Sequence, residues 1–93
     1  MYYIYILANK KDGTLYIGVT NNLIRRTGKH KQNLAGRFTK KRHVHKLVYF
    51  ESTSDIREAI YREKCMKRWR RQWKVELIEK DNPCWEDLYY DII

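Results

Sequence analysis

The spacing of apolar positions changes along this chain, from alternation near the start to helical spacing later, and the changes mark its elements. Tyr2 to Leu7 (YYIYIL) is aromatic and β-branched throughout, which predicts a strand. Asn9 to Gly13 is rich in turn formers, and Thr14 to Thr20 (TLYIGVT) predicts the return strand of a hairpin. On that strand Leu15, Ile17 and Val19 share one face, and Tyr16, Gly18 and Thr20 share the other. Asn21 or Asn22 then caps a helix running to about Leu34, with Gly28 as its weak point. Ala35 to Lys46 reads as a basic loop and Leu47 to Glu51 (LVYFE) as a third strand. Thr53, Ser54 and Asp55 offer caps for a second helix to about Trp69, and Asp55 with Glu58 has capping-box spacing. A restart near Arg71 carries the chain toward Glu79. Asn82-Pro83 stops it, and Cys84 to Tyr90 predicts a last short turn of helix. The order ββαβαα predicts an α+β fold, a small three-stranded antiparallel sheet flanked by helices, as one domain over residues 1–93.

Several polar residues stand where that pattern calls for apolar ones. The stripe of the first helix, near Leu23, Thr27 and Leu34, also contains Arg26 and His30, which are four apart and so neighbours on one face. On the second helix Ile56, Ala59, Ile60 and Met66 mark the apolar face, and Glu63 lies within it. A buried charge needs a partner. An ion pair between Glu63 and Arg26, or a carboxylate held by tyrosine hydroxyls, satisfies that need as well as a functional site does. Tyr3 and Tyr5 share a face of strand one, with Tyr16 on the adjacent strand. Gly18, two residues further on the same face, marks a place where another group comes close.

Charge sharpens the picture. The 93 residues carry 20 Lys and Arg against 11 Asp and Glu, a formal +9 that favours polyanionic partners, nucleic acid first. From Gly13 to Phe50 there is no acidic residue and there are nine basic ones. The candidates for phosphate contact there are Arg25, Lys29, Lys31, Arg37, Lys40, Lys41 and Arg42. A second acid-free block runs from Lys64 to Lys74, whereas Val75 to Ile93 is mostly acidic. No apolar run is long enough to span a membrane, and the basic residues do not form one amphipathic helix, which sets a membrane-surface role aside. No signal peptide opens the chain, and Cys65 and Cys84 lack zinc-site spacing, so two reduced thiols in a cytoplasmic protein are expected. Nothing in the sequence calls for an obligate protein partner.

Taken together, Tyr3-Ile4-Tyr5 and Tyr16-Ile17-Gly18, with Tyr16 eleven residues after Tyr5, resemble the paired motif of GIY-YIG nucleases, Tyr3 standing where the first Gly gives the motif its name. Arg26 and His30, ten and fourteen residues after Tyr16, then Glu63 and Asn82, follow in that family's order. The resemblance spans roughly Tyr3 to Leu88 and is closest to compact single-domain bacterial members. It implies metal-assisted phosphodiester hydrolysis in nucleic acid, DNA ahead of RNA, on repair or recombination intermediates among others. Glu63 is then the holder of one divalent ion, Mg²⁺ or Mn²⁺. Arg26 neutralises charge on the phosphorus, Tyr16 serves as general base, and Tyr5 orients the water or Tyr16. His30 assists or is itself the base, and Asn82 braces the site. The competing class is a basic DNA- or RNA-binding module on a degenerate nuclease fold.

Overall fold

A computed structural model describes residues 1–32 and 41–93. Arg37, Lys40 and Leu34 lie outside the described residues. The sheet has the order β2-β1-β3, with β1 (Tyr2–Ala8) in the centre, β2 (Leu15–Thr20) on one edge and β3 (Lys46–Thr53) on the other, all antiparallel. Helices α1 (Leu23–Lys31), α2 (Ile56–Arg68), α3 (Arg71–Asp81) and the short α4 (Tyr89–Ile92) complete the described elements. The predicted α+β architecture is the observed one.

Strand alternation creates two cores, one on each side of the sheet. Ile4, Ile6 and Ala8 face Ile17, Val48, Ala59, Met66, Ile78 and Trp85, beneath α2 and α3. Tyr5 and Leu7 face Leu23, Val44 and Leu47, with Leu88, Tyr89 and Ile92 of the C-terminal segment packed around them. Three layers result, and β1 contributes to both cores.

Local chemistry sets the helix ends. The Asn22 side chain accepts from Arg25 N at 3.1 Å and starts α1. Asp55 caps α2 through Arg57 N at 2.8 Å, but the capping box is not made. Glu58 instead accepts from the Thr53 hydroxyl at 2.9 Å, because β3 runs on to Thr53 and brings that side chain beside the first turn. The chain is extended at Trp69 and Arg70, which divides α2 from α3 where the sequence places the restart.

Three further expectations are corrected. Ile56 and Ile60 are 47% and 39% exposed, and the buried face of α2 is formed by Ala59 and Met66. Lys41 and Arg42 are helical rather than looped. Cys84 to Tyr90 is mostly not helical, since Trp85 has φ 55° and is inserted whole into the core, so the helix begins only at Tyr89. The strand pairing shifts between Ile6 and Leu7, leaving Val48 without a partner across the ladder, as in a β-bulge.

Candidate active site

The site begins with a gap in a strand. Tyr5 and Gly18 are opposite one another in the β1–β2 ladder. A Cβ on Gly18 would stand 2.5 Å from the Tyr5 hydroxyl oxygen and 2.6 Å from Cζ. The close approach anticipated at Gly18 is therefore that of the Tyr5 phenol, which lies across the missing side chain. This sends the hydroxyl of a fully buried core tyrosine toward α1.

Helix α1 supplies the next two groups. Its buried residues are Leu23, Thr27 and His30, so the anomalous polar stripe is real: His30 is 2% exposed. His30 Nε2 lies 3.2 Å from the Tyr5 hydroxyl, and Arg26 Nε donates to the same oxygen at 3.4 Å. A single assignment serves all three groups. Arg26 donates to the Tyr5 oxygen, and the Tyr5 O–H donates to a neutral His30. The electrostatics agree. Burial, and then the Arg26 charge, pull His30 down to about 4, so the imidazole is neutral near pH 7. Burial raises Tyr5 above its ordinary value even though the Arg26 hydrogen bond opposes it, so this phenol keeps its proton. The Tyr5 hydrogen bond in turn raises Arg26, with Tyr16 adding a smaller contribution of the same sign.

Tyr16 completes the group from β2. Its ring centroid is 5.4 Å from that of His30 and 6.4 Å from that of Tyr5. Unlike Tyr5 and His30 it is only half-buried, and it lines a cleft of about 250 Å³ with Leu15, Ile17, Lys67 and Lys74. Tyr16 is thus open to a ligand from this side of the group.

Glu63 approaches from α2, and its negative charge is felt at Tyr5. Its side chain is 15% exposed and pairs with Lys67 at 3.3 Å, one turn along the helix, so the ion pair with Arg26 is not formed. Among the described residues no cluster of three or more His, Cys, Asp or Glu side chains is placed to hold a metal ion. What Glu63 offers is one hard, half-buried carboxylate, whose pairing with Lys67 a divalent ion would displace. That donor fits a weakly held Mg²⁺ or Mn²⁺ ion with water in most of its positions.

A second cleft, of about 220 Å³, opens beside Arg26 and is lined by Thr20, Asn21, Asn22, Arg25, Arg26 and Lys29. Two of the predicted phosphate contacts, Arg25 and Lys29, therefore adjoin the site, while Lys41 and Arg42 are exposed elsewhere on the chain. Lys31 is placed differently. Its ammonium is bound to Asp87 and donates to the His45 carbonyl at 3.1 Å, with the two ionic side chains only 16% and 19% exposed. Its charge tethers the C-terminal segment through Asp87.

Asn82 is likewise apart from the tyrosines. Its amide nitrogen donates to the Val48 and Glu86 carbonyls at 3.0 and 2.9 Å, and its oxygen accepts from Glu86 N at 2.9 Å. It seals the bulge of β3, on the sheet edge opposite Tyr16, and its side chain is fully occupied there. Sequence reasoning passes over Lys67 and Lys74 as site residues. The signal is present in the second acid-free block, but only the fold brings it to Tyr16.

Comparison with known proteins identifies the family. Residues 1–76 match the family model of the GIY-YIG catalytic domain. A UPF0213 protein of Clostridium perfringens is 44% identical over 78 residues, covering 84% of this chain and 83% of that protein. A UPF0213 protein of Staphylococcus haemolyticus is 38% identical over 79 residues, covering 85% and 95%. The solution NMR structure of a UPF0213 protein from Bacillus halodurans superposes with a TM-score of 0.57 at 31% identity, over 94% of this chain and 93% of that one. The chain belongs to the GIY-YIG family, a nuclease superfamily.

Proposed function

We propose that this protein is a metal-dependent endonuclease that hydrolyses phosphodiester bonds in DNA in preference to RNA, selecting its substrate by backbone shape. Branched or damaged DNA of repair and recombination is the substrate class this reading favours. The observation that carries it is the grouping of four polar side chains: Tyr16 and Arg26 at cleft walls, with Tyr5 and His30 buried and hydrogen-bonded behind them.

Each residue then has a task. Tyr5 holds Arg26 by its Nε, which fixes the plane of a guanidinium whose N–H fork suits phosphate oxygens. The charge that builds on the phosphoryl oxygens in the transition state is met there. Tyr5 keeps its proton and so is a donor and positioning group, which leaves Tyr16 or His30 to take the proton of the attacking water. Tyr16 is the better placed. It adjoins the open cleft, whereas His30 is sealed beneath it and acts through Tyr5. Glu63 would hold the divalent ion, which when bound supplies charge stabilisation at the leaving oxygen. Arg25 and Lys29 guide the flanking phosphates. Asn82 serves the scaffold. The free thiols Cys65 and Cys84 accord with a cytoplasmic location, and no helix is long and apolar enough to cross a membrane among the described residues.

The test is a panel of labelled single-stranded, duplex and branched DNA and RNA, incubated with Mg²⁺, with Mn²⁺ and with EDTA. Cleavage that needs the metal and is lost in Glu63→Gln, with binding retained, is the expected result. Binding without cleavage of any substrate would favour the module that only binds. Equal cleavage in EDTA would remove the role given to Glu63.

A further inference from the structure

The acid-free block Lys64 to Lys74 takes no part in the reading above beyond the two lysines beside Tyr16. It folds as the corner where α2 passes into α3, and the corner interleaves cations with indoles. The Arg62 guanidinium lies 5.0 Å from the Trp69 ring centroid, and that of Arg70 lies 5.3 Å from Trp73. The two indoles meet edge to face at 6.2 Å. Trp73 is 48% exposed, an unusual position for the largest apolar side chain. Arg70 stands at the N-cap of α3, where a guanidinium has no acceptor to offer the helix, and it lies over the indole instead. Arg71 donates to the Gly13 carbonyl at 2.7 Å and fixes the corner against the hairpin turn.

The corner is also continuous with the site. Lys74 donates to the Lys67 carbonyl at 3.4 Å, and both side chains line the cleft that contains Tyr16. Burial, and then the neighbouring Arg71 charge, hold the Lys74 ammonium below its ordinary value, so an added anion there would be welcome.

We propose that this corner is a second nucleic-acid contact, in which Lys74 holds a phosphate of the strand passing Tyr16 and an unpaired base of that strand stacks on the Trp73–Arg70 pair. The inference rests on the nucleic-acid reading of the Tyr16 site. Both halves of the ligand are matched: a cation for the phosphate, and an indole under an exposed guanidinium plane for the base. A base can stack only when it is out of a duplex, so the strand is single-stranded as it leaves the site. This narrows the substrate to DNA with an unpaired stretch beside the cleaved bond.

Fluorescence anisotropy in EDTA tests it, with a labelled single strand and a blunt duplex titrated at several salt concentrations. Trp73→Ala should weaken single-strand binding roughly five- to a hundred-fold and leave duplex binding nearly unchanged. Trp73→Phe, which keeps a ring, should recover most of the loss and guards against a folding artefact. Lys74→Gln should reduce the salt slope for the single strand by about 0.7. If these variants bind as the wild type does while Arg25→Ala weakens binding, the strand does not use the corner and the proposal is overturned, with the Tyr16 site intact. If Trp73→Ala loses binding but the wild type cuts nothing, the corner stands and the nuclease reading falls.

Discussion

The two edges of the sheet both bury polar side chains, yet they treat them in opposite ways. On the β3 edge every such group is closed by short bonds. Asn82 makes three at 2.9 to 3.0 Å, Trp85 Nε1 donates to Glu79 at 2.7 Å, and Lys31 is bound to Asp87. Asp87 also accepts from Leu47 N and Tyr89 N, each at 3.1 Å. On the β2 edge one hydroxyl is shared by an imidazole and a guanidinium at 3.2 and 3.4 Å, long for hydrogen bonds, and the next tyrosine opens onto a cleft. The first edge is built to hold the chain together. The second is a polar cluster with longer bonds that opens onto a cleft, and in the proposed function it holds the catalytic groups, whose hydrogen bonds tighten when substrate binds. Burial of polar residues therefore does not separate scaffold from site, since both clusters are bonded; the opening of the second onto a cleft does.

The contrast breaks most visibly at Tyr16. Tyr16→Phe should lower single-turnover cleavage by about 10² to 10⁴ and leave the thermal midpoint unmoved. A wild-type rate would remove Tyr16 from the chemistry. Asn82→Ala should do the reverse. It strips the partners from Val48 and Glu86, costing about 2 to 3 kcal/mol in urea unfolding, while the rate per folded molecule is unchanged. A variant of full stability and no activity would move Asn82 back into the site.

His30 sharpens the contrast through pH. Its folded value of about 4 lies below the 6.5 of an unperturbed imidazole, so the unfolded chain binds the extra proton between those values. Stability from this group is complete above pH 6.5 and is lost as pH falls toward 4, on the order of 2 kcal/mol. Urea unfolding across that window should show the loss in the wild type and a flatter profile in His30→Gln. Equal profiles would mean that His30 is not held neutral.

The smallest effect compares neighbours. Lys29→Ala should reduce the salt slope of duplex binding by about 0.9, the change expected when one phosphate fewer is neutralised. Lys31→Ala should leave the slope alone and lower stability instead, because its charge is taken by Asp87. Equal effects on the slope would return Lys31 to the binding surface.

Much of this is legible in the sequence, for identifiable reasons. The hairpin, Gly18, and the Arg26–His30 stripe are local patterns of period two or 3.6, and a local pattern survives folding. The contacts of Lys31 and Asn82 are not legible in the sequence, because their partners lie far along the chain, at Asp87 and at Val48. Lys29 and Lys31 look alike in sequence. Only the docked C-terminal segment tells them apart. Periodicity assigns Ile56 and Ile60 to the core, but the α2 stripe turns toward Ala59 and Met66, and no residue spacing discloses which flank of a stripe meets the sheet.

The gap at Gly18 has a consequence for how the hairpin finds its alignment. Strand β2 contains one glycine, and in the native ladder it stands opposite Tyr5. Sliding the two strands so that any other residue of β2 stands opposite Tyr5 would put a side chain under the Tyr5 ring, where the native fit already leaves no room for a single carbon. Mispaired hairpins are thus rejected sterically as well as through exposure of their apolar face. The residue that lets a buried phenol reach the site also proofreads the chain as it folds, and Gly18→Ala should yield misaligned, aggregation-prone protein before it yields a slow enzyme.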